Sequence, residues 1–165
     1  MAYLTSQQLE NIKVTIGNVC FIGNKDNKKV LLLKRSKHPM KNLFTGVGGK
    51  TQSHEDIFSS CLREVNEETG LDVSEVTLRG VVKTILLNGN SSWILFIYTA
   101  TTIEEDLKEC NEGDLLWIDL QKVLEYELIG FIREIIPHIL SGKGFIEGTI
   151  LHDAEGNIIE KKLKT

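Results

Sequence analysis

Three glutamates, Glu64, Glu67 and Glu68, stand at i, i+3 and i+4 in a stretch with helical patterning. At 100° per residue they project within about 100° of one another. An apolar stripe of Phe58, Cys61, Leu62 and Val65 is centred about 120° away by the same arithmetic. The expectation is one face that packs and another that concentrates three carboxylates. Like charges at this spacing repel by a few tenths of a kcal/mol when exposed, and by more when desolvated. A hard divalent cation is the natural neutraliser. Mg²⁺ prefers carboxylate and carbonyl oxygens and shares its shell with waters and phosphate oxygens. Upstream, Gly48-Gly49 lets a bare backbone approach the same spot and offer a carbonyl. Lys50 and the Lys34-Arg35 pair supply positive charge for phosphates nearby. Most Glu-rich helix faces are solvated surface, so the wider spacing has to distinguish this one.

The helix that must carry these groups is predicted over His54 to Thr69. Ser53 is its expected N-cap, and Glu55 and Asp56 suit the positive end of the macrodipole. Gly70 reads as the stop. Around it lie strand-like runs, Ile12 to Ile22, Val30 to Leu33, Val76 to Leu87, Trp93 to Thr101 and Leu115 to Ile118. Asn88-Gly89-Asn90-Ser91 is a hairpin signal. Leu128 to Leu140 has helical apolar spacing, with Pro137 disturbing its last turn. Phe145 to Leu151 and Ile158 to Leu163 flank a second hairpin signal at residues 153–157. Strands and helices mix without regular alternation. That predicts an α/β (α+β) chain, a mixed sheet covered by a few helices, in one domain over residues 1–165.

Composition sets outer limits. The chain has 165 residues, 41% hydrophobic and 25% charged, within the range of one ordinary globular domain. Its net charge of −4 argues against a general binder of polymeric nucleic acid, which carries a basic excess. Cys20, Cys61 and Cys110 are far apart and odd in number, which fits a reducing compartment and neither a disulfide scaffold nor a zinc site. No apolar run approaches the ~20 residues of a membrane span, and Met1 to Ile12 does not read as a secretory signal. A cytoplasmic protein without membrane partners is expected. His38, His54, His138 and His152 lack metal-ligand spacing, and Trp93 and Trp117 read as core.

Residues Gly49 to Leu71 read GKTQSHEDIFSSCLREVNEETGL. This resembles the Nudix box, Gly-x5-Glu-x7-Arg-Glu-apolar-x-Glu-Glu-x-Gly-apolar, at every defined position, including Gly49, Glu55, Arg63 and Gly70. The order of elements from about Ile12 to Leu140 resembles that superfamily's α/β/α sandwich. Phe145 to Asn157 resembles the C-terminal hairpin of bacterial MutT-type members. The resemblance implies a hydrolase in which Mg²⁺, with Mn²⁺ as a substitute, helps water attack a phosphorus of a nucleoside diphosphate linked to another group. It implies Glu64, Glu67 and Glu68 as metal ligands with the Gly48 carbonyl, Arg63 as the group that orients a box glutamate, and Glu55 as a supporting carboxylate. A further carboxylate comes from a loop before the next strand. Glu104, Glu105, Glu109 and Glu112 are candidates, and Glu112, five residues before Trp117, matches the MutT-like pattern best. Lys34, Arg35 and Lys50 are the expected phosphate contacts.

The substrate is less legible. No proline lies between Leu71 and Pro137, unlike the ADP-ribose type, and Leu86 to Gly89 offers no tyrosine of the dinucleoside-polyphosphate type. A nucleoside triphosphate is the leading expectation, and within that class an oxidised purine nucleotide such as 8-oxo-dGTP. The Trp and paired Asp with which mammalian members read the oxidised base are replaced by apolar Ile129, Phe131 and Ile132. A nucleotide-binding sensor without turnover is the rival reading. An isoprenyl diphosphate isomerase is a weaker one, because it would want a reactive thiol where Cys61 reads as core.

Overall fold

The computed structural model describes residues 12–87 and 91–165. The hairpin signal at Asn88-Gly89-Asn90 lies outside them. The elements run β1 (Lys13–Gly23), β2 (Lys29–Arg35), β3 (Phe44–Thr45), α1 (Ile57–Thr69), β4 (Ser74–Leu86), β5 (Ser91–Thr101), β6 (Gly113–Asp119), α2 (Gly130–Ser141), β7 (Ile146–His152) and β8 (Ile158–Lys164). A short 3₁₀ turn, Leu120–Glu125, joins β6 to α2.

The strands pair in the order β3-β2-β1-β5-β4-β7-β8, with β6 on β2. β1 with β5 and β4 with β7 are parallel, and the other pairs are antiparallel. This is an α/β fold with a mixed sheet and a few helices. β1 lies mid-sheet and is buried from both sides, so its second half reads as an unbroken apolar run rather than an alternation. Its side chains still alternate in space. Val19 and Phe21 join a core cluster with Ile132, Ile135 and Ile136 of α2. Cys20 and Ile22 join another with Cys61 and Val65 of α1. The two helices therefore cover opposite faces.

Helix α1 begins three residues later than expected. Asp56, not Ser53, is the N-cap, and its carboxylate accepts from the Ser59 N–H at 2.9 Å. Glu55 is withheld from the helix because its carboxylate accepts from the Gln52 N–H at 2.8 Å and from Arg63. Gly70 ends the helix in the left-handed region, with φ 75°, and donates to the Asn66 carbonyl. Phe58 is a second correction. It is about half exposed, edge-on to Tyr98, and not part of the packed stripe. Pro137 lies inside α2, which continues past it to Ser141.

Candidate metal and phosphate site

The strip Val47 to Thr51 runs antiparallel to β1 and sits under α1. Cys20 N–H donates to the Val47 carbonyl at 2.7 Å, Asn18 N–H to the Gly49 carbonyl at 2.9 Å and Thr51 N–H to the Ile16 carbonyl at 3.0 Å. Gly48 has φ 149°, and a Cβ there would run into the Asn18 carbonyl. Two residues without side chains thus leave a shallow channel between sheet and helix.

Glutamates fill that channel, which changes the expected picture of a wet carboxylate face. Ser60, Cys61, Val65 and Glu68 are on the buried side of α1. Glu68 is 8% exposed, and its Oε2 accepts from the Gly48 N–H at 2.9 Å. The Glu64 side chain is 15% exposed and that of Glu67 is 59% exposed. The three carboxylates form a gradient from interior to solvent.

Arg63 ties most of the cluster together. Its Nε and Nη2 donate to the two Glu55 oxygens at 3.0 and 2.6 Å. Its Nη1 donates to Glu64 Oε1 at 2.9 Å and Glu67 Oε2 at 3.0 Å. Nη2 also donates to the Lys50 carbonyl at 3.1 Å. All five guanidinium protons are committed. The fork of Arg63 on Glu55, with the Gln52 N–H, holds the Glu55 carboxyl down at about 2.

The remaining charge is less well compensated. Burial pushes the Glu68 carboxyl up to about 7, and Glu64 and Glu112 add to the rise. The Gly48 N–H and, more weakly, Arg35 oppose it. Burial also raises the Glu64 carboxyl, against the pull of Arg63. Ser36, through its N–H and its hydroxyl, donates to the Glu112 carbonyl at 2.9 and 3.0 Å, which holds Glu112 beside the end of β2 that carries Arg35. Glu112 lies just before β6, and its Oε1 accepts from Lys37 Nζ at 2.7 Å.

Strand alternation separates the expected phosphate contacts. Arg35 lies two residues beyond Leu33, whose side chain joins the α1-side cluster, so alternation sends Arg35 to that side. Lys34, its neighbour in β2, is sent to the other side, with its ammonium 6.0 Å from the Phe44 ring centroid. Lys50 also goes there, 5.8 Å from the centre of the Trp93 ring, which lies against Gly17. Ile129, Phe131 and Ile132 are buried in the cluster beneath α2. Asn18 and Ser60 did not emerge from the sequence reading. Asn18 Nδ2 donates to Ser60 Oγ at 3.0 Å, while its Oδ1 is buried without a partner. A polar side chain inside the apolar run of β1 was the available signal.

The donor set fits a hard divalent cation. Glu64, Glu67, Glu68 and Glu112 each spend one oxygen on a protein hydrogen bond and keep the other. Among the described residues, no hydrogen bond occupies the Gly48 carbonyl. No three acidic, histidine or cysteine side chains among those residues are already gathered as a metal cage. Glu64 and Glu67 are turned toward Arg63 instead.

Comparisons with known proteins bear on the family and the fold. The chain is 29% identical over 139 residues to the uncharacterised Nudix hydrolase YvcI of Bacillus subtilis, covering 82% of this chain and 86% of that one. It is 28% identical over 120 residues to an oxidised purine nucleoside triphosphate hydrolase of Danio rerio, covering 73% and 76%. Its fold matches the crystal structure of a MutT protein from Bacillus halodurans with a TM-score of 0.80 at 27% identity, covering 91% and 97%. No helix among the described residues is long and apolar enough to cross a membrane. The NUDIX domain model matches residues 14–139, and the chain belongs to that family, whose members are generally pyrophosphohydrolases, bind nucleotides and typically depend on divalent metal.

Proposed function

We propose that this chain hydrolyses the pyrophosphate linkage of a (deoxy)nucleoside triphosphate to a monophosphate and pyrophosphate. Mg²⁺ is the proposed cofactor, with Mn²⁺ as a substitute. Oxidised purine nucleotides of the 8-oxo-dGTP kind head the substrate list. The observation that carries this reading is the set of four carboxylates, each with one uncommitted oxygen, beside a glycine strip with a free carbonyl.

Glu64, Glu67, Glu68, Glu112 and the Gly48 carbonyl would hold the metal. Such an ion screens phosphate charge and lowers the pKa of bound water. The protein groups do the rest. Glu68 would offer Oε1 to the ion while the Gly48 N–H holds its Oε2 at 2.9 Å. Arg63 keeps Glu64 and Glu67 oriented. Arg35 presents positive charge on the α1 side, and Lys34 and Lys50 present it on the α2 side.

The triphosphate is favoured by the Danio rerio relative, an oxidised purine nucleoside triphosphate hydrolase. A second reading, ADP-ribose, is favoured by an ADP-ribose pyrophosphatase of Methanocaldococcus jannaschii. That protein is 33% identical over 92 residues, which cover 56% of this chain and 54% of that one. Initial rates on ordinary and oxidised nucleoside triphosphates, ADP-ribose and dinucleoside polyphosphates with Mg²⁺ separate the readings. Turnover of triphosphates, lost in Glu67→Gln, is expected. Tight binding without product on every nucleotide would make the chain a sensor instead.

A further inference from the structure

Two cations hold the acidic cluster, and they hold it differently. Arg63 commits all its guanidinium protons, and its side chain is 23% exposed. Among the described residues, Lys37 Nζ bonds only Glu112 Oε1, at 2.7 Å, between side chains that are 58% and 45% exposed. An exposed ion pair of this kind holds weakly, because water and salt compete for both charges. Lys37 is therefore the cation that can let go.

The backbone beneath the pair is fixed. Ser36 grips the Glu112 carbonyl with both its N–H and its hydroxyl. Gly113 follows with φ 153°, and a Cβ there would run into the Lys34 carbonyl. The end of β2 and the start of β6 are thus pressed together, and only side chains have to move for the pair to open. The sequence sets what a freed Lys37 meets. No acidic residue occurs between Asp26 and Glu55, while Lys34, Arg35, Lys37 and Lys41 fall within eight positions. The segment offers the ammonium no carboxylate of its own. An anion arriving from solution is its natural partner, and a hard cation held by carboxylates shares its shell with phosphate oxygens.

We infer that Lys37 is a placeholder cation and a further phosphate contact: it neutralises Glu112 in the metal-free protein and passes to the substrate's polyphosphate when Glu112 turns to the metal. Both charges of the pair stay compensated before and after the exchange. The inference rests on Glu112 as a metal ligand and on a nucleotide substrate, as proposed above, but not on turnover.

Calorimetry on the full chain tests it without catalysis, first with Mg²⁺ alone and then with an α,β-methylene nucleoside triphosphate analogue at saturating Mg²⁺. Lys37→Met should move the two affinities in opposite directions. Mg²⁺ should bind about two- to fivefold tighter, because a competitor for Glu112 is gone. The analogue should bind about tenfold weaker, because a charge-assisted bond to phosphate is lost. Lys37→Arg keeps the charge and should restore most of both. Glu112→Gln should weaken Mg²⁺ binding and abolish the effect of Lys37→Met on it. Lys41→Met removes the same charge from the same loop and should leave both affinities near the parent. Mg²⁺ affinity that does not rise in Lys37→Met, analogue affinity that does not fall, or the same pair of shifts in Lys41→Met would each overturn the inference. Parent-like Mg²⁺ affinity in Glu112→Gln would overturn it too. A parent that binds the analogue but turns over no nucleotide would sink the hydrolase reading, and the two affinities would still decide the role of Lys37.

Discussion

The carboxylate of Glu64 occupies the space that a side chain at Gly49 would need. A Cβ on Gly49 would lie 2.5 Å from Glu64 Cδ and 2.6 Å from both of its oxygens. Backbone and carboxylate can be this close only because the residue is glycine. Gly49→Ala should therefore push Glu64 off Arg63 Nη1 rather than merely strain a loop. The expected result is a folded protein destabilised by about 1–3 kcal/mol, as for overpacking elsewhere, with metal affinity down about 10–100-fold. Calorimetric Mg²⁺ or Mn²⁺ titration checks it, and parent-like affinity would refute the crowding argument.

The motif helix, its stop at Gly70 and the mixed sheet were legible because each rests on local chemistry: periodicity, a left-handed glycine and β-branched runs. What escaped depends on partners far along the chain. Glu68 is buried because Gly48, twenty residues earlier, leaves room and donates an N–H. Lys34 and Arg35 look like a pair in sequence, but a strand sends neighbours to opposite faces, and only the packing of both helices says which face matters. The start of α1 was misplaced because Glu55 reads as a first-turn acid, while Gln52 and Arg63 hold it in the preceding turn. Asn18 finds Ser60 across forty-two positions.

Asp56 caps α1 through both carboxylate oxygens, one on the Ser59 N–H and one on its hydroxyl. Asp56→Ala should cost about 1 kcal/mol, or about 2–4 °C in Tm for a chain of this size. The capping bonds share no partner with Arg63 or the glutamates, so thermal melts should show the loss while Mg²⁺ affinity stays within about twofold of the parent. A drop in affinity as large as that of Gly49→Ala would mean that the cap and the site are one unit.

Arg63→Lys tests whether charge or geometry matters at the hub. Lysine keeps the charge but supplies three protons from one atom in place of a planar fork. It cannot bond both Glu55 oxygens, Glu64, Glu67 and the Lys50 carbonyl together. Activity should fall about 10–100-fold, with Glu64 and Glu67 mobile in the metal-free protein. Retention of parent kcat would show that positive charge alone suffices.

Glu68 and Glu55 pull the pH dependence of stability in opposite directions. The Glu68 carboxyl is raised from 4.5 to about 7 in the folded chain. Between those values the folded protein holds a proton that the unfolded chain releases, so stability falls as pH rises through this window and levels off above it. The loss is at most about 3 kcal/mol. Glu55 is lowered from 4.5 to about 2. Its contribution is present above 4.5 and disappears as pH falls toward about 2. The metal-free protein should therefore melt highest near about pH 5 in a scan from about pH 3 to about pH 8. Saturating Mg²⁺ favours the ionised Glu68 and should flatten the decline on the alkaline side. Glu68→Gln should flatten it without metal. A metal-free Tm that climbs steadily from about pH 5 to about pH 7 would show that Glu68 is ionised in the folded chain throughout, and that the channel under α1 is wetter than its geometry implies.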